Sequence, residues 1–350
     1  MGGPEVAWFS ALCDDDYEQL GVVDSSLRST WEHCSEIVLE AERQGFDSVL
    51  LPSGYELGLD TTAMAAALAR ATSRIRLLMA VRIGESWPPQ LARQIATIQH
   101  LSSNRLDVNV ISSDLAGQSL ASAPRYERTL EAMQILDVLG RGEPVHHHGT
   151  FYDVDVTAPR VATGPRPPFY FGGLSSEARD VAARAADVYL MWPDVEAVVR
   201  ETIRDLRERA AACGRELRFG YRVHVVVRDS EAAARAAAAH LVAALDDEVG
   251  RAIRSKSLDS TSVGVSRQGE LRDAADDHGY VEANLWTGIG RARSGCGAAI
   301  VGSHDQVLEK LAMYQGLGID AFILSGYPHL DECQRFGELV LSQMEHGPLH

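Results

Sequence analysis

The fold is decided by three short apolar segments in succession: SVLLP at 48–52, RLLMAVR at 76–82 and LDVNVIS at 106–112. Apolar runs of this length, bounded by turn residues, are typical of buried strands. Helix-patterned segments separate them, an alanine-rich one at 61–72 and one that begins at Pro88, a residue favoured in the first turn of a helix. The alternation of strand and helix predicts an α/β fold with a parallel sheet.

The same alternation continues along the rest of the chain. Further apolar strands are predicted at 6–12, 169–173, 188–192, 217–227 and 321–326. Eight strands, each followed by a helix, is the number in a (β/α)8 TIM barrel, which typically takes about 250 residues. The chain has 350 residues, and residues 250–290 are polar and weakly periodic. We therefore expect a single domain, residues 1–350, with a large insertion.

A doubly wound open sheet is the alternative to the barrel. Its dinucleotide fingerprint, G-x-G-x-x-G, follows none of the predicted strands. The nearest match is Gly288-x-Gly290, where Arg293 occupies the position of the third glycine. The pattern therefore does not predict a Rossmann-type nicotinamide site.

The composition limits the classes of partner. With 49 acidic and 33 basic residues, the net charge is −16, which opposes binding to nucleic acid and to anionic membranes. No apolar run is long enough to span a bilayer, and the N-terminal sequence lacks the basic and apolar regions of a signal peptide. The five cysteines are widely spaced, so we expect no disulfide framework, no zinc site and a cytoplasmic location.

In a barrel of this kind the chemistry lies at the carboxyl ends of the strands. Arg222 and His224 are two residues apart in a predicted strand, so both side chains point to one face. They indicate either an anion site or an internal salt bridge. After the last strand, Tyr327 and His329 either offer a phenol and an imidazole as proton donors or form a turn with a packed aromatic ring.

A second motif is FGGLSSEA at 171–178. Its two glycines let the backbone approach a ligand, and Ser175 and Ser176 lie where a helix is predicted to begin, which suits a phosphate. An ordinary serine N-cap is the alternative. The histidine run at 146–148 resembles a metal tract, but we expect a surface feature in an irregular segment; the aspartate run at 14–16 is likewise expected to be solvated.

Six blocks of sequence resemble a known family. They are ARQIATI at 92–98, YFGG at 170–173, RFGYRVH at 218–224, LDDE at 245–248, NLWTG at 284–288 and LSGYPHL at 324–330. The chain resembles the bacterial-luciferase-like flavin monooxygenases, and most of all the FMNH2-dependent alkanesulfonate monooxygenases. The resemblance extends from Trp8 to about Leu339.

The resemblance implies a luciferase-like TIM barrel with insertions, including a lid loop near 250–297, and a homo-oligomer. It implies reduced FMN, with O2 as co-substrate, and a separate NAD(P)H:flavin reductase that supplies the flavin. The catalytic residues that it implies are Arg222, His224, Arg293, Tyr327 and His329. The expected FMN-binding residues are Ser112, Tyr126, Gly173, Ser175 and Ser176. Trp192 is expected to line the substrate pocket, and Arg291, which the family pattern lacks, is expected to bind substrate beside the lid.

The sequence departs from the alkanesulfonate enzymes around the substrate rather than the flavin. The family cysteine after strand two is absent from the stretch 54–60, LCDDD at 12–16 replaces a histidine after strand one, and the segment 112–125 is shorter. The resemblance predicts a two-component monooxygenase that oxidises a small organosulfur anion, such as an alkanesulfonate, with C–S cleavage to sulfite and an aldehyde. The alternatives are a tailoring monooxygenase acting at another carbon, nitrogen or sulfur centre, a deazaflavin-dependent oxidoreductase, and a flavin-binding protein without catalysis.

Overall fold

The computed structural model describes residues 2–54, 58–161, 164–255, 262–293 and 295–350. Its strands are β1 (Glu5–Phe9), β2 (Ser48–Leu51), β3 (Arg76–Arg82), β4 (Leu106–Ile111), β5 (Val145–His148), β6 (Asp153–Val156), β7 (Phe169–Phe171), β8 (Val188–Met191), β9 (Arg218–Arg228), β10 (Tyr280–Glu282), β11 (Leu285–Trp286), β12 (Ala299–Ser303) and β13 (Ala321–Ser325). Its helices are α1 (Trp31–Gln44), α2 (Thr61–Ala71), α3 (Pro88–Ser102), α4 (Ser122–Gly140), α5 (Ser176–Ala185), α6 (Glu196–Ala212), α7 (Glu231–Leu241), α8 (Asp247–Ser255), α9 (Val263–Asp273), α10 (His304–Leu317) and α11 (His329–Leu339). Within these described ranges, no helix combines the length and the apolar character needed to cross a membrane.

Eight parallel strands form a closed barrel in the order β1, β2, β3, β4, β7, β8, β9 and β13. The ring closes because β13 pairs with β1, placing Ala321 beside Glu5, and because β8 pairs with β9. This confirms the predicted (β/α)8 barrel and all eight of its predicted strands. Strand boundaries differ by up to three residues; β1 ends at Phe9 rather than at residue 12.

Side chains alternate between the barrel interior and the surrounding helices, as the pleat of a strand requires. On β1, Val6 and Trp8 belong to the core between strands and helices, while Ala7 and Phe9 lie inside the barrel. Other strands contribute further apolar side chains to the interior: Leu50, Leu78, Tyr170, Val188 and Ile323. Burial of apolar surface, at about 25 cal/mol per Å², is the main contribution that holds these layers together.

Local signals set where several helices begin and end. Ser303 and Gln306 form a capping box at the start of α10, and Gly318 ends that helix in the left-handed conformation at φ 108°. Pro88 begins α3, as predicted. Ser175 caps α5 by accepting a hydrogen bond from the N–H of Ala178.

Three parts of the chain fold differently from the prediction. The segment around the histidine run at 146–148, predicted to be irregular, contains the hairpin of β5 and β6. The helix predicted after β9 is divided into α7 and α8. The sequence also does not predict β12, which pairs in parallel with the carboxyl half of β9 and places Ala299 beside His224. Because β12 is short and follows a glycine-rich stretch, its apolar residues alone do not predict a strand.

The predicted insertion lies between α7 and β12, and it is folded rather than a plain loop. It contains α8, α9 and the hairpin of β10 and β11, and β11 pairs with β12. Residues 256–261 and 294 of the predicted lid lie outside the described residues, as do residues 55–57 of the stretch from which the family cysteine is absent. The insertion extends the sheet at the carboxyl end of β9, beside the mouth of the barrel.

Candidate active site at the mouth of the barrel

Two neighbouring strands bring a buried cluster to the carboxyl end of the barrel. Arg222 and His224 lie on β9, and Ser325 is the last residue of β13 beside it. The Arg222 guanidinium donates a hydrogen bond to Ser325 Oγ at 2.8 Å, and Ser325 Oγ lies 2.7 Å from His224 Nδ1. The other hydrogen bonds of Arg222 go to the backbone carbonyls of Val223 and Ile323. Among the described residues Arg222 has no carboxylate partner. The internal salt bridge that the sequence left open for Arg222 is therefore not formed within them.

Arg293, from the insertion, completes the cationic side of the mouth. Its guanidinium donates to Asp15 Oδ2 and to the Tyr327 hydroxyl oxygen, both at 2.6 Å. The Phe9 ring centre lies 4.5 Å from the guanidinium carbon of Arg222 and 5.7 Å from that of Arg293, which are cation–π distances. The loop after β1, the end of β13 and the insertion therefore meet at one cationic cluster.

His329 is held by a carboxylate. Its Nδ1 lies 2.8 Å from Asp16 Oδ1, and its backbone N–H donates to the same oxygen at 3.0 Å. Asp16 Oδ2 lies 2.8 Å from His33 Nε2. Although burial opposes it, the charge and hydrogen bonds of His329 hold the pKa of Asp16 well below its usual value. Asp16 is therefore ionised and buried, and the expectation that the run 14–16 is solvated is wrong for this residue.

Burial controls the protonation of the cluster. It lowers the pKa of His224 well below its usual value, and the charge of Arg222 acts in the same direction. Burial raises the pKa of the Tyr327 phenol above its usual range, against a smaller opposite effect of Arg293. At pH 7 we therefore expect a neutral His224 imidazole and a protonated Tyr327 beside guanidinium groups that remain charged.

Several buried polar atoms at the mouth have no hydrogen-bond partner within the described part of the chain. They are His224 Nε2, His329 Nε2 and Asp15 Oδ1. An unpaired buried polar atom costs about 1–3 kcal/mol, so native proteins contain few of them. A group of three at one end of a barrel indicates a site that a polar ligand completes.

A cavity of about 290 Å³ opens at the carboxyl ends of β4, β7 and β8. Five predicted site residues line it: Ser112, Tyr126, Gly173, Ser175 and Trp192. Asn109 and Arg125 line it as well. The structure thus brings four of the five predicted FMN-binding residues to one cavity.

The lining of this cavity fits the two parts of FMN. Gly173 has φ 149°, which favours glycine, and a Cβ there would lie 3.2 Å from Tyr126 Oη. The N-terminus of α5 begins beside Ser175, and Arg125 Nε is buried without a partner among the described residues. Helix N–H groups, hydroxyls and a guanidinium suit a phosphate, while the aromatic rings of Tyr126 and Trp192 suit a flavin.

Trp192 lines the cavity together with part of the insertion, including Gly264. A Cβ added at Gly264 would lie 2.9 Å from the indole ring, and one added at Gly295 would lie 3.3 Å from it. Gly295 precedes Cys296, whose Sγ lies 3.3 Å from the carbonyl oxygen of Arg222. The indole therefore lies beside both the cavity and the part of the insertion that contacts Arg222.

Two predicted site residues lie apart from the rest. Arg291 directs its guanidinium to Asp247 Oδ1 of α8, at 3.1 Å on the exposed side of the insertion. It ends a 3-10 turn over Gly288–Arg291, so it points to a different side from Arg293 although it is two residues away. Ser176 is exposed at the start of α5 and is not among the residues that line the cavity.

Four side chains of the site were not predicted from the sequence to belong to it: Phe9, Asp15, Asp16 and Ser325. Their contacts are remote in sequence, since 278 residues separate Asp15 from Arg293 and 313 separate Asp16 from His329. The available signal was the position of the acidic run directly after strand one, where barrel chemistry is expected.

The histidine run lies away from the mouth, in β5 rather than in an irregular segment. His146 and His148 are exposed and pair with Asp155 and Asp153 of β6, and His147 faces Glu131 at 3.3 Å. The ranges that the structure describes contain no group of three or more side chains suited to holding a metal.

Comparison with known proteins agrees with this fold. Residues 11–321 match the model of the luciferase-like monooxygenases. A sulfoquinovose monooxygenase of Novosphingobium aromaticivorans is 61% identical over 355 residues, covering 99% of this chain and 98% of that protein. One of Agrobacterium fabrum is 52% identical, covering 99% and 91%. An EDTA monooxygenase of Chelativorans shares the fold, with a TM-score of 0.78 at 18% identity, covering 97% of this chain and 93% of the other. The chain belongs to the luciferase-like monooxygenase family.

Proposed function

We propose that this chain is a flavin-dependent monooxygenase that oxidises sulfoquinovose, a hexose with a sulfonate on carbon 6, and releases sulfite. The observation that carries the proposal is the buried Arg222 guanidinium, which has no carboxylate partner among the described residues and lies, like the cavity of about 290 Å³, at the carboxyl end of the barrel. The identity of 61% to a sulfoquinovose monooxygenase, over nearly the whole of both chains, supports this substrate in place of a simple alkanesulfonate.

The charge at the mouth matches a sulfonate. Asp15 neutralises Arg293 through an ion pair at 2.6 Å, whereas Arg222 keeps its charge, so these three side chains carry one net positive charge. A sulfonate carries one negative charge on three oxygens, and a guanidinium presents planar donors to such groups. Arg222 would bind the sulfonate, and Arg293 would contribute its remaining N–H donors from the insertion.

Reduced FMN and O2 are the proposed co-reactants. Ser112, Tyr126, Gly173 and Ser175 would hold FMN, with Arg125 near its phosphate. The reduced flavin supplies the two electrons with which O2 and the carbon–sulfur compound become an aldehyde, sulfite and water. A separate NAD(P)H:flavin reductase in the cytoplasm is the proposed source of the flavin, and a homo-oligomer is the proposed assembly.

The side chains around the substrate would also manage protons and water. The Tyr327 phenol keeps its proton at pH 7 and donates from the centre of the cluster. Trp192, with Gly264 and Gly295 of the insertion close to its ring, would shield the reacting carbon from water. His329 is fixed by Asp16, with its Nε2 free for a polar group of the substrate.

The test is an assay of sulfite release. Purified protein is supplied with FMN, a flavin reductase, NADH and O2, and is given sulfoquinovose, methanesulfonate or hexanesulfonate. We expect one sulfite per sulfoquinovose consumed and much slower release from the two alkanesulfonates. Absence of sulfite from sulfoquinovose would contradict the proposal, and an oxygenated product without sulfite would indicate a different reacting centre.

A further inference from the structure

Ser325 connects the two functional side chains of β9. Its hydroxyl lies 2.8 Å from an Arg222 guanidinium nitrogen and 2.7 Å from His224 Nδ1, and all three residues are buried. A guanidinium donates hydrogen bonds and accepts none. Ser325 Oγ must therefore accept from Arg222, which leaves the single hydroxyl proton of Ser325 to be placed.

That proton has one acceptor within reach. The hydroxyl has no other hydrogen-bond partner in the described part of the chain, and a buried hydroxyl proton without an acceptor costs about 1–3 kcal/mol. The proton therefore points to His224 Nδ1, which must be unprotonated to accept it. A neutral imidazole with a free Nδ1 lone pair carries its proton on Nε2.

We propose that Ser325 fixes His224 as the neutral Nε2–H tautomer, so that His224 acts as a rigid hydrogen-bond donor to an anionic oxygen at the mouth. His224 Nε2 is buried and has no partner among the described residues, as a donor reserved for a ligand requires. That the anionic oxygen belongs to a sulfonate rests on the proposed function. The tautomer itself follows from the protein alone.

For His329, the other histidine of the site, the same reasoning places a proton on Nδ1. His329 Nδ1 lies 2.8 Å from Asp16 Oδ1, and an ionised carboxylate accepts hydrogen bonds and donates none. The Nδ1 of His329 therefore carries a proton. A hydroxyl partner sets one ring as a donor at Nε2, whereas a carboxylate partner places a proton on the Nδ1 of the other ring.

The surroundings keep His224 neutral over the working pH range. Burial lowers its pKa, and the charges of Arg222, Arg293 and His329 act in the same direction, against a smaller effect of the Cys296 backbone. The Tyr327 ring stacks on His224 at 5.3 Å between ring centres. Ser325 is thus a positioning residue, because it acts on the ligand through His224.

Nitrogen NMR of protein labelled in its histidine rings tests the proposal without flavin or substrate. The His224 signals are assigned by their loss in His224→Gln and, independently, by their shift in Tyr327→Leu, which removes the stacked ring. We expect wild type at pH 7 to show a protonated Nε2 and an Nδ1 that accepts a hydrogen bond. A proton on Nδ1, or on both nitrogens, would overturn the proposal.

Variants of Ser325 test the cause. In Ser325→Ala we expect the Nδ1 signal to move to that of an acceptor without a hydrogen bond, and turnover to fall about tenfold. Ser325→Thr keeps the hydroxyl and should restore both; Ser325→Cys, a weaker donor, serves if threonine does not fold. Ser48→Ala is the matched control, since Ser48 is a buried barrel serine whose hydroxyl has no partner in the described ranges.

The outcomes separate this inference from the proposed function. An unchanged Nδ1 signal in Ser325→Ala would overturn the role of Ser325, whatever the substrate is. Adding sulfoquinovose to wild type should shift the Nε2 signal as the hydrogen bond forms. If the tautomer is as expected and sulfoquinovose causes no shift, the inference stands and the substrate assignment fails.

Discussion

The two ends of the barrel both bury charged side chains, but they treat them differently. At the amino ends of the strands, Arg76 forms a two-pronged ion pair with Asp107, with N–O distances of 2.6 and 2.9 Å. Glu5, beside them, accepts hydrogen bonds from the Tyr170 hydroxyl at 3.0 Å and from the Leu349 N–H at 3.1 Å. At this end, here called the base of the barrel, Arg76, Asp107 and Glu5 thus all have side-chain partners within the protein.

At the mouth the pairing is incomplete. Arg222 has a serine and backbone carbonyls as partners, and polar atoms of His224, His329 and Asp15 have none among the described residues. Buried charged groups with partners inside the protein stabilise the folded structure. Buried polar atoms without such partners can instead form their hydrogen bonds with a ligand. We therefore expect the charged residues at the base to contribute to stability and those at the mouth to bind a ligand.

The largest effect is expected at the mouth, for Arg222→Met. This change removes the charge that would bind the sulfonate, and we expect kcat/KM for sulfite release from sulfoquinovose to fall by about 1,000-fold. The free energy of unfolding should stay unchanged or rise, because the variant removes a buried charge without a carboxylate partner. Arg218→Met, at the exposed amino end of the same strand, is the control and should keep its activity. Equal losses in the two variants would contradict the assignment.

Arg76→Met should show the reverse pattern at the base. Loss of the guanidinium leaves the Asp107 carboxylate buried and unpaired, so we expect the free energy of unfolding in urea to fall by about 3–5 kcal/mol. Turnover per folded molecule should remain near that of wild type. A strong loss of turnover with unchanged stability would break the distinction between the two ends.

The base should also make stability depend on pH. Burial, and then the charge of Asp107, raise the pKa of Glu5 from 4.5 to about 7. The folded state then holds a proton between these pH values that the unfolded state releases, so this contribution to stability decreases as the pH rises from 4.5 to 7. Measured by urea denaturation, the stability of wild type relative to Glu5→Gln should decrease by about 3 kcal/mol from pH 4 to pH 8. A constant difference would contradict the raised pKa.

A smaller effect is expected in the cavity proposed for FMN. In Gly173→Ala, the new Cβ would lie 2.7 Å from the Ala178 Cβ and 3.2 Å from Tyr126 Oη, so we expect FMN binding to weaken about tenfold in a fluorescence titration. Gly214→Ala is the matched control, because Gly214 also has a positive φ but has open space around it. Unchanged FMN affinity in Gly173→Ala would show that the flavin binds elsewhere.

The sequence predicted the barrel well because each of its strands is an apolar run of three to eleven residues followed by a helical pattern. It predicted Arg222 and His224 because a strand places alternate residues on one face. It could not predict Ser325 as their partner, since strand pairing between β9 and β13 brings together residues about a hundred positions apart. It did not predict that Arg291 turns to Asp247, because the 3-10 turn that separates its direction from that of Arg293 has no clear signature among the glycines.

A crystal structure of the protein with FMN and sulfoquinovose would show directly whether the mouth binds a sulfonate. We expect sulfonate oxygens within hydrogen-bond distance of the Arg222 guanidinium and of His224 Nε2, with the flavin in the cavity lined by Tyr126 and Gly173. A sulfonate bound at the N-terminus of α5, or outside the barrel mouth with His224 Nε2 still unpaired, would contradict this expectation.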